Sequence, residues 1–489
     1  MLTLATLALT VTLFMAVPKG LFPQQDTGLI MGTTEAAQDV SFPAMKAYQE
    51  QINALVGSDP DIGHVVSSIG SMNASTGNTG SLFIALKPLP GRKATADEVI
   101  ARLRPKAARL PGIKLYLQSV QDLRMGGRSA RTQYQYTVQD ADLDELKQWA
   151  PKVVERLRKL PELKDVATDQ QTAGLQLGIT LNRDTASRLG ITPQAVDEAL
   201  YDAFGQRQVA ISYTQLNFYR VVQESLRSQQ TGPEALRKIF VPTPSGGQVP
   251  LSEIATAVPG STTLAITHQG QFPSTTISFN VAEGKALGDA VTAIHQAERD
   301  LHWPDGMHGD FQGTAQAFGK SLESEPWLIL AALVAVYLVL GMLYESFIHP
   351  ITILSTLPSA GVGALAALLL CRIDFSIIAL IGVILLIGIV KKNAIMIVDF
   401  AIEARRTRGL SPVDSIREAS LLRFRPILMT TCAALLGALP LAIGGIGAEL
   451  RKPLGIAIVG GLLLSQLVTL FTTPVIYLWL DRLVSRRRT

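Results

Sequence analysis

The order of apolar and polar residues divides the chain into membrane-like segments and a long region between them. Six segments carry no charged residue: 1–17, 326–344, 350–371, 375–390, 426–448 and 453–480. Because a spanning α-helix needs about 20 mostly apolar residues, the last five predict membrane helices, provided that the third continues through Lys391-Lys392. Residues 1–17 predict one more membrane helix, the sixth in this chain by count, which is truncated and ends at Pro18-Lys19-Gly20. A signal peptide is the alternative, but this segment has no Lys or Arg before its apolar run and no A-x-A site after it.

The region between these segments has the alternating pattern of mixed helices and strands. Residues 27–120 predict the order strand, helix, strand, strand, helix, strand. Thr95-x-x-Glu98 has the form of a capping box, so it predicts the start of the second helix. Leu82–Leu86 and Lys114–Val120 have the composition of strands.

A second unit of the same kind begins near Thr132 but is interrupted. Tyr134, Tyr136 and Val138 alternate as in a half-buried strand, and a helix pattern follows up to Pro161. The matching half begins only near Thr276. We therefore predict two split β-α-β (ferredoxin-like) units, with 182–258 inserted in the second.

Composition and charge exclude several classes of protein. Charged residues make up 17% and the mean hydropathy is +0.26, which fits a chain that is partly in a membrane. A net charge of +4, with no basic block before the C-terminal tail, argues against a nucleic-acid partner. Two cysteines, six scattered histidines and the absence of GK[ST] after Gly77–Gly80 lead us to expect no metal site and no cofactor.

Arginine placement predicts the orientation in the membrane. The stretch 401–425 holds six arginines, and the tail 482–488 holds four more. Short loops rich in Lys and Arg stay on the cytoplasmic side. Each spanning helix takes the chain to the opposite side of the membrane. With six helices and both arginine-rich stretches in the cytoplasm, residues 18–324 lie outside, which is the periplasm in a Gram-negative cell.

Two adjacent lysines interrupt the third of the C-terminal apolar segments. A lysine at the middle of a membrane costs about 2.5–3.5 kcal/mol on insertion scales. Lys391 and Lys392 point about 100° apart on a helix, so at least one should face the bundle interior and meet a carboxylate. No apolar segment offers a central Asp or Glu, so we expect the acid to come from other polypeptide. An interfacial anchor is the alternative interpretation.

The membrane segments carry a resemblance to a known family. The runs LLIGIVKKNAIMIVDFA (385–401) and LLRFRPILMTTCAALLGALPLAIGGIGAELRKPLGIAIVGG (421–461) closely resemble the C-terminal half of the resistance–nodulation–division (RND) multidrug efflux transporters. The nearest branch is the MdtB/MdtC type of the hydrophobe/amphiphile efflux family. The resemblance covers essentially the whole chain.

The resemblance implies a domain organisation. Such a transporter is an inner-membrane trimer of twelve-helix protomers, homomeric or heteromeric, with a periplasmic adaptor protein and an outer-membrane channel as partners. The implied divisions of this chain are 1–17, the truncated seventh helix; 18–130, the first C-terminal porter subdomain; 131–181, the start of the second; 182–258, the inserted funnel subdomain; 259–324, the remainder of the second; and 325–489, five membrane helices and a basic tail.

The resemblance also implies residues for two sites. Lys392 takes the position of the family's tenth-helix lysine, which pairs with two aspartates of the fourth helix, and Arg423 and Thr430 match the remaining proton-relay positions. Phe83 matches a pocket phenylalanine and Met72 falls where another would lie, so both are candidates for the substrate path. The loop Ser68–Asn78 lacks the aromatic residues of the family's best-known drug transporter.

The implied function is secondary transport and not enzymatic catalysis. We expect proton antiport that exports amphiphilic drugs or detergents. A non-transporting structural or sensing subunit of a heteromeric assembly is the alternative, weakly favoured by the aromatic-poor loop. Metal efflux is disfavoured because Met72 and Met125 are isolated.

Overall fold

The computed structural model describes residues 2–70, 76–89, 91–123, 125–230, 232–445 and 447–488. The chain separates into two compact units: Gln171–Ala265 forms one, and the residues before and after it form the other.

The first α/β unit follows an apolar helix. Its elements are α1 (Leu2–Ala16), β1 (Leu29–Ala36), α2 (Phe42–Gly57), β2 (Ile62–Ile69), β3 (Thr79–Leu86), α3 (Ala96–Ala107) and β4 (Ile113–Ser119). The strands form an antiparallel sheet in the order β2-β3-β1-β4, with Leu82 opposite Gly32. Side chains of α2 and α3 close the core on one face of the sheet. Thr95 and Glu98 form the predicted capping box at the start of α3.

The second α/β unit begins with β5 (Tyr134–Gln139), α4 (Leu143–Arg158) and β6 (Leu163–Thr168). Alternating apolar residues of β5 lie in its core, as Tyr136 and Val138 show. Asp142 caps α4 by accepting hydrogen bonds from the N–H groups of Asp144 and Glu145.

The separate unit Gln171–Ala265 interrupts the second α/β unit in sequence. Its elements are β7 (Gly174–Leu181), α5 (Arg183–Arg188), α6 (Pro193–Phe204), β8 (Arg207–Tyr213), β9 (Phe218–Gln223), two 3-10 turns (Arg227–Gln229 and Pro233–Lys238), β10 (Phe240–Pro242), β11 (Gln248–Pro250), α7 (Leu251–Ile254) and β12 (Ala255–Thr262). Pairing of β7 with β12 along their full lengths closes the unit. The expected insertion, 182–258, falls inside these limits, and its role as a funnel stays a prediction.

The second α/β unit then resumes with β13 (Thr267–Gln269), β14 (Phe272–Val281), α8 (Leu287–Leu301) and β15 (His308–Gln312). β14 pairs with β5, β6 and β13, and β15 pairs with β5. Ile277 and Phe279 of β14 are fully buried between this sheet and its helices. Strands from both sides of the interruption therefore build one sheet and one core.

The remaining helices form an apolar bundle. They are α9 (Thr314–Tyr344), α10 (His349–Leu354), α11 (Leu357–Leu370), α12 (Ile377–Arg408), α13 (Pro412–Ala442) and α14 (Lys452–Arg488). Over the described residues, five spans are long and apolar enough to cross a membrane, with α10 and α11 counted as one. The apolar helix near the start, α1, falls short of that length, so a sixth spanning helix stays a prediction.

Two glycines bring α11 and α14 together at their backbones. A Cβ atom at Gly460 would lie 2.6 Å from the carbonyl oxygen of Gly363, and a Cβ atom at Gly363 would overlap the backbone of Gly460. Small residues permit this close approach of helices in membranes. The α12 helix packs against the same pair through Gly382, which faces Ala457.

Candidate functional site

The α12 helix carries the paired lysines without a break. Ser376 caps its start by accepting a hydrogen bond from the N–H of Ala379, and Gly409 ends it with a left-handed backbone. At 1.5 Å per residue, its 32 residues span about 48 Å. The lysines therefore lie near the middle of one long helix and not at an end.

The two lysine side chains differ in their surroundings. Lys392 is exposed on the outside of the bundle, whereas Lys391 is half-buried. Within the described ranges, neither lysine lies within ion-pair distance of a carboxylate. An uncompensated cation on the outer face of an apolar helix is costly in a membrane.

The next residue, Asn393, belongs to a buried polar network. Its Nδ2 donates to Oγ1 of Thr431 at 3.2 Å and to Oε1 of Gln466 at 3.1 Å. Thr431 Oγ1 also donates to Gln466 Oε1 at 2.7 Å. Asn393 and Thr431 are 7% and 5% exposed. Three side chains thus tie α12, α13 and α14 together beside Lys392.

The predicted relay residues of α13 have different partners. The Arg423 guanidinium lies over the ring of Phe400, 5.0 Å from its centroid. Thr430 donates its hydroxyl to the carbonyl of Ile427 in its own helix. In the part of the chain that the structure describes, no hydrogen bond joins Lys392, Arg423 and Thr430. Their joint action as a relay stays a prediction.

Sequence reasoning missed Asn393, Thr431 and Gln466. A usable signal was present: Gln466 is the only side-chain amide in the apolar segment 453–480. A buried amide needs hydrogen-bond partners, and only another helix could supply them in such a segment. The identity of those partners depends on helix packing that the sequence pattern does not specify.

Phe83 lies on the open face of the first sheet. Its side chain is 55% exposed, and its cross-strand neighbours are Met31 and Val66. Met31 and Gln118 line a cavity of about 320 Å³ whose other side is formed by residues of the second α/β unit, including Gln135. The side chain is therefore available to a ligand and does not form part of the core. Met72 lies outside the described residues.

The buried charges of the first α/β unit form ion pairs. Arg92, whose side chain is 2% exposed, donates to both carboxylate oxygens of Asp26 at 2.6 and 2.8 Å. Burial alone would raise the pKa of Asp26, but Arg92 and the N–H groups of Gly28 and Ala96 outweigh it, so this pKa lies below its usual range. Arg102 similarly contacts Asp59 at 2.6 Å.

A search of the described residues for metal ligands finds no group of three or more His, Cys, Asp or Glu side chains that could hold an ion. Cys371 and Cys432 are both free thiols.

Comparison with solved structures identifies the fold. Two crystal forms of a heavy metal efflux pump superpose on 98% of this chain with TM-scores of 0.88 and 0.85, at 23% identity. The chain corresponds to 50% and 49% of those chains. At this level of identity, the similarity concerns the fold alone.

Comparison with known sequences identifies the family. Multidrug resistance protein MdtC of Pantoea ananatis (strain AJ13355) is 52% identical over 490 residues, which make up 100% of this chain and 48% of that protein. The chain therefore spans about half the length of this curated relative, and it matches the C-terminal half of an MdtC-type transporter, as the resemblance predicted. The AcrB/AcrD/AcrF family model matches residues 1–481, so the chain belongs to this family of RND efflux transporters.

Proposed function

We propose that this chain forms part of a proton-driven efflux permease of the inner membrane, with Lys392 in the proton relay. The observation that carries the proposal is an exposed lysine in the middle of an apolar helix, next to a buried network that joins three helices. An interfacial anchor is the alternative, in which the ammonium group of Lys392 reaches the membrane surface along its own side chain.

The counter-charges of Lys392 would come from polypeptide beyond the sequence described here. The matched relative is about twice as long as this chain. Carboxylates on a helix that covers the exposed face of α12 would pair with Lys392. Arg423 and Thr430 would complete the relay on α13.

Protonation of those carboxylates would remove their attraction for Lys392 and allow α12 to shift. Asn393 adjoins Lys392, and it is hydrogen-bonded to Thr431 and Gln466. A displacement of α12 would therefore strain bonds to α13 and α14 at once. Through this network, a protonation change at the carboxylates would be coupled to the positions of α13 and α14.

Orientation and partners follow from the same proposal. The arginines of 401–425 would face the cytoplasm, and both α/β units would be porter subdomains in the periplasm. Export of amphiphilic drugs or detergents would proceed past Phe83 and through a tripartite assembly. That assembly would contain an RND trimer, a periplasmic adaptor and an outer-membrane channel.

The test is efflux of ethidium and Nile red from cells that carry this chain with a complementary N-terminal half. Lys392→Met should lower energised efflux to the level of cells treated with a protonophore. Lys391→Met is the matched control, because it removes an adjacent lysine from a different face of α12, and it should leave efflux within about twofold.

Two results would contradict the proposal. Protonophore-sensitive efflux that survives Lys392→Met would show that Lys392 is an anchor. Absence of efflux from the intact chain, with normal membrane insertion and assembly, would favour a structural or sensing subunit.

A further inference from the structure

One face of α14 is polar between Gln466 and Tyr477, in the central part of the helix. Gln466, Thr469, Thr473 and Tyr477 follow each other at intervals of three, four and four residues, so they lie on one helical face. The eleven intervals between Gln466 and Tyr477 correspond to about 16 Å of helix rise. Thr469 and Thr473 are 3% and 0% exposed, although both are polar. We refer to these four residues as the polar face of α14.

Two polar side-chain groups on this face form no hydrogen bond with the helix backbone or with other described residues. Among the described residues, neither Nε2 of Gln466 nor Oγ1 of Thr473 has a hydrogen-bond partner, and both atoms are buried. The neighbouring Thr472 behaves differently, because its hydroxyl donates to the carbonyl of Val468. Pro474 has no N–H, so the carbonyl of Leu470 also loses its usual helical partner.

Simple helix packing does not account for these atoms. A buried polar group without a partner costs about 1–3 kcal/mol, and threonine in a membrane helix normally avoids this cost by bonding to its own backbone. Several such groups on one face have the spacing that ordered water molecules bridge, since each water needs two to four polar partners.

The upper end of the polar face joins the Lys392 site. Gln466 accepts hydrogen bonds from both Asn393 and Thr431, and Asn393 is the residue that follows Lys392. The polar face therefore begins at the network of Asn393, Thr431 and Gln466, which adjoins Lys392 along the backbone of α12.

Its lower end contacts a histidine. The ring of His349, the first residue of α10, stacks on Tyr477 with centroids 6.2 Å apart and planes inclined by 16°. Within the described chain, His349 Nδ1 is buried and has no hydrogen-bond partner. Tyr477 in turn accepts a hydrogen bond from Arg405, which pairs with Asp481 at 2.7 Å.

The charged and titratable groups around His349 come from every helix packed against it. Tyr344 of α9 lies with its ring centroid 6.0 Å from that of His349. Arg405 and Arg406 of α12 contribute positive charge, and Asp481 of α14 contributes negative charge. Imidazole is the side chain whose ordinary pKa, about 6.5, lets it exchange protons near neutral pH.

We propose that the polar face of α14 is a water-bridged proton exit path, and that His349 exchanges the proton with the cytoplasm. The proposal rests on the proposed function, which supplies both the proton and the orientation. A proton released at the Lys392 site passes along waters bound by Gln466, the Leu470 carbonyl, Thr473 and Tyr477. It binds the imidazole nitrogen of His349, and that N–H bond breaks again when the proton leaves to cytoplasmic water.

The first test compares two adjacent threonines. The chain and its complementary half are reconstituted in liposomes, and proton movement under an imposed pH gradient is followed with trapped pyranine, with ethidium as the exported compound. Thr473→Val should slow proton movement about tenfold, because valine has the same shape without the hydroxyl. Thr473→Ser should restore it. Thr472→Val should stay within twofold of the unaltered protein, because that hydroxyl bonds only to its own helix.

The second test uses pH on the cytoplasmic side. Proton release slows in the unaltered protein as cytoplasmic pH falls from 7 to 5, because His349 fills with protons. His349→Phe keeps the ring against Tyr477 but cannot titrate, so this dependence should disappear and proton movement should fall several-fold. Retention of the full pH dependence in His349→Phe would overturn the proposal.

Lys392→Met separates failure of the exit path from failure of the relay. If Lys392→Met stops proton movement while Thr473→Val and Thr472→Val behave alike, the exit path is wrong and the relay stands. If Lys392→Met leaves proton movement intact, or if the unaltered protein moves no protons, both proposals are wrong.

Discussion

The first α/β unit and the helix bundle differ in whether particular lysine and arginine side chains have a carboxylate partner. In the α/β unit, Arg92 is enclosed and satisfied by Asp26, and Arg102 by Asp59. In the bundle, Lys392 and Arg423 form no ion pair within the described chain, although each sits in a largely apolar helix. The bundle does pair Arg405 with Asp481 and Arg408 with Glu418, so Lys392 and Arg423 stand out because they have no such partner among the described residues.

Under the proposed function, the difference separates charges that support folding from charges that act in transport. A paired and enclosed charge resists change, because either partner alone would be left buried. A charge whose partner lies on another segment can be paired and released as that partner gains or loses a proton. The predictions below test this distinction, from the largest expected effect to the smallest.

Asp26→Asn should produce the largest loss of stability. It leaves the Arg92 guanidinium buried without a counter-charge, which costs about 3–5 kcal/mol. Hydrogen exchange of β1, β3 and β4 amides in the full chain should accelerate by at least a hundredfold. Glu50→Gln is the control, because it removes an exposed pair with Lys46, and it should leave exchange unchanged. Equal effects of the two variants would refute the distinction.

Substitution of the two adjacent threonines of α13 should affect different properties, with one variant less stable and the other less active in efflux. Thr431→Val removes the hydroxyl shared with Asn393 and Gln466, so it should destabilise the bundle by about 1–3 kcal/mol. Thr430→Val should leave the thermal unfolding midpoint unchanged and should lower ethidium efflux. A lower unfolding midpoint for Thr430→Val, with no change for Thr431→Val, would contradict the assignment of Thr431 to stability and of Thr430 to transport.

Acid should weaken the first α/β unit through Asp26. Since the pKa of Asp26 is lowered by folding, its stabilising contribution is complete above the ordinary aspartate pKa of about 3.9. That contribution disappears as pH falls through the folded-state pKa. Amide protection in β1 should fall with acid in the unaltered protein and fall less in Asp26→Asn.

Phe83→Ala should have the smallest effect on stability, below about 0.5 kcal/mol, because the side chain is exposed. Resistance to a panel of amphiphilic drugs should change if Phe83 contacts substrates. Leu82→Ala, one residue away and fully buried, should instead destabilise the unit by about 2–5 kcal/mol. An unchanged drug profile for Phe83→Ala would remove this residue from the substrate path.

Local sequence signals were sufficient for the elements of the fold. Thr95 and Glu98 identified a helix start because both capping partners lie within one turn. Alternation in β5 predicted the strand and the burial of Tyr136 and Val138, but the strand is not half-buried as expected, because Gln135 and Thr137 are buried on its other face. Apolar length was enough to locate the five long spans.

Contacts between distant segments were not predictable in the same way. Asp26 and Arg92 are 66 positions apart, and Asn393 and Gln466 are 73 apart. Their pairing depends on how helices and strands pack, which residue spacing does not encode. The resemblance to RND transporters predicts relay roles for Lys392, Arg423 and Thr430, but it did not indicate that Thr431 is the threonine bonded to Asn393.

The glycine contact between α11 and α14 limits how these two helices can move. Where Gly363 meets Gly460, the backbones lie in contact, and the side chains of Ala367 and Leu464 pack beside them. Separation would open a gap that lipid tails are too wide to fill, whereas a change of crossing angle keeps the contact intact. We therefore expect α11 and α14 to change their crossing angle about this contact, so that a small tilt at one end of the pair produces an opposite tilt at the other.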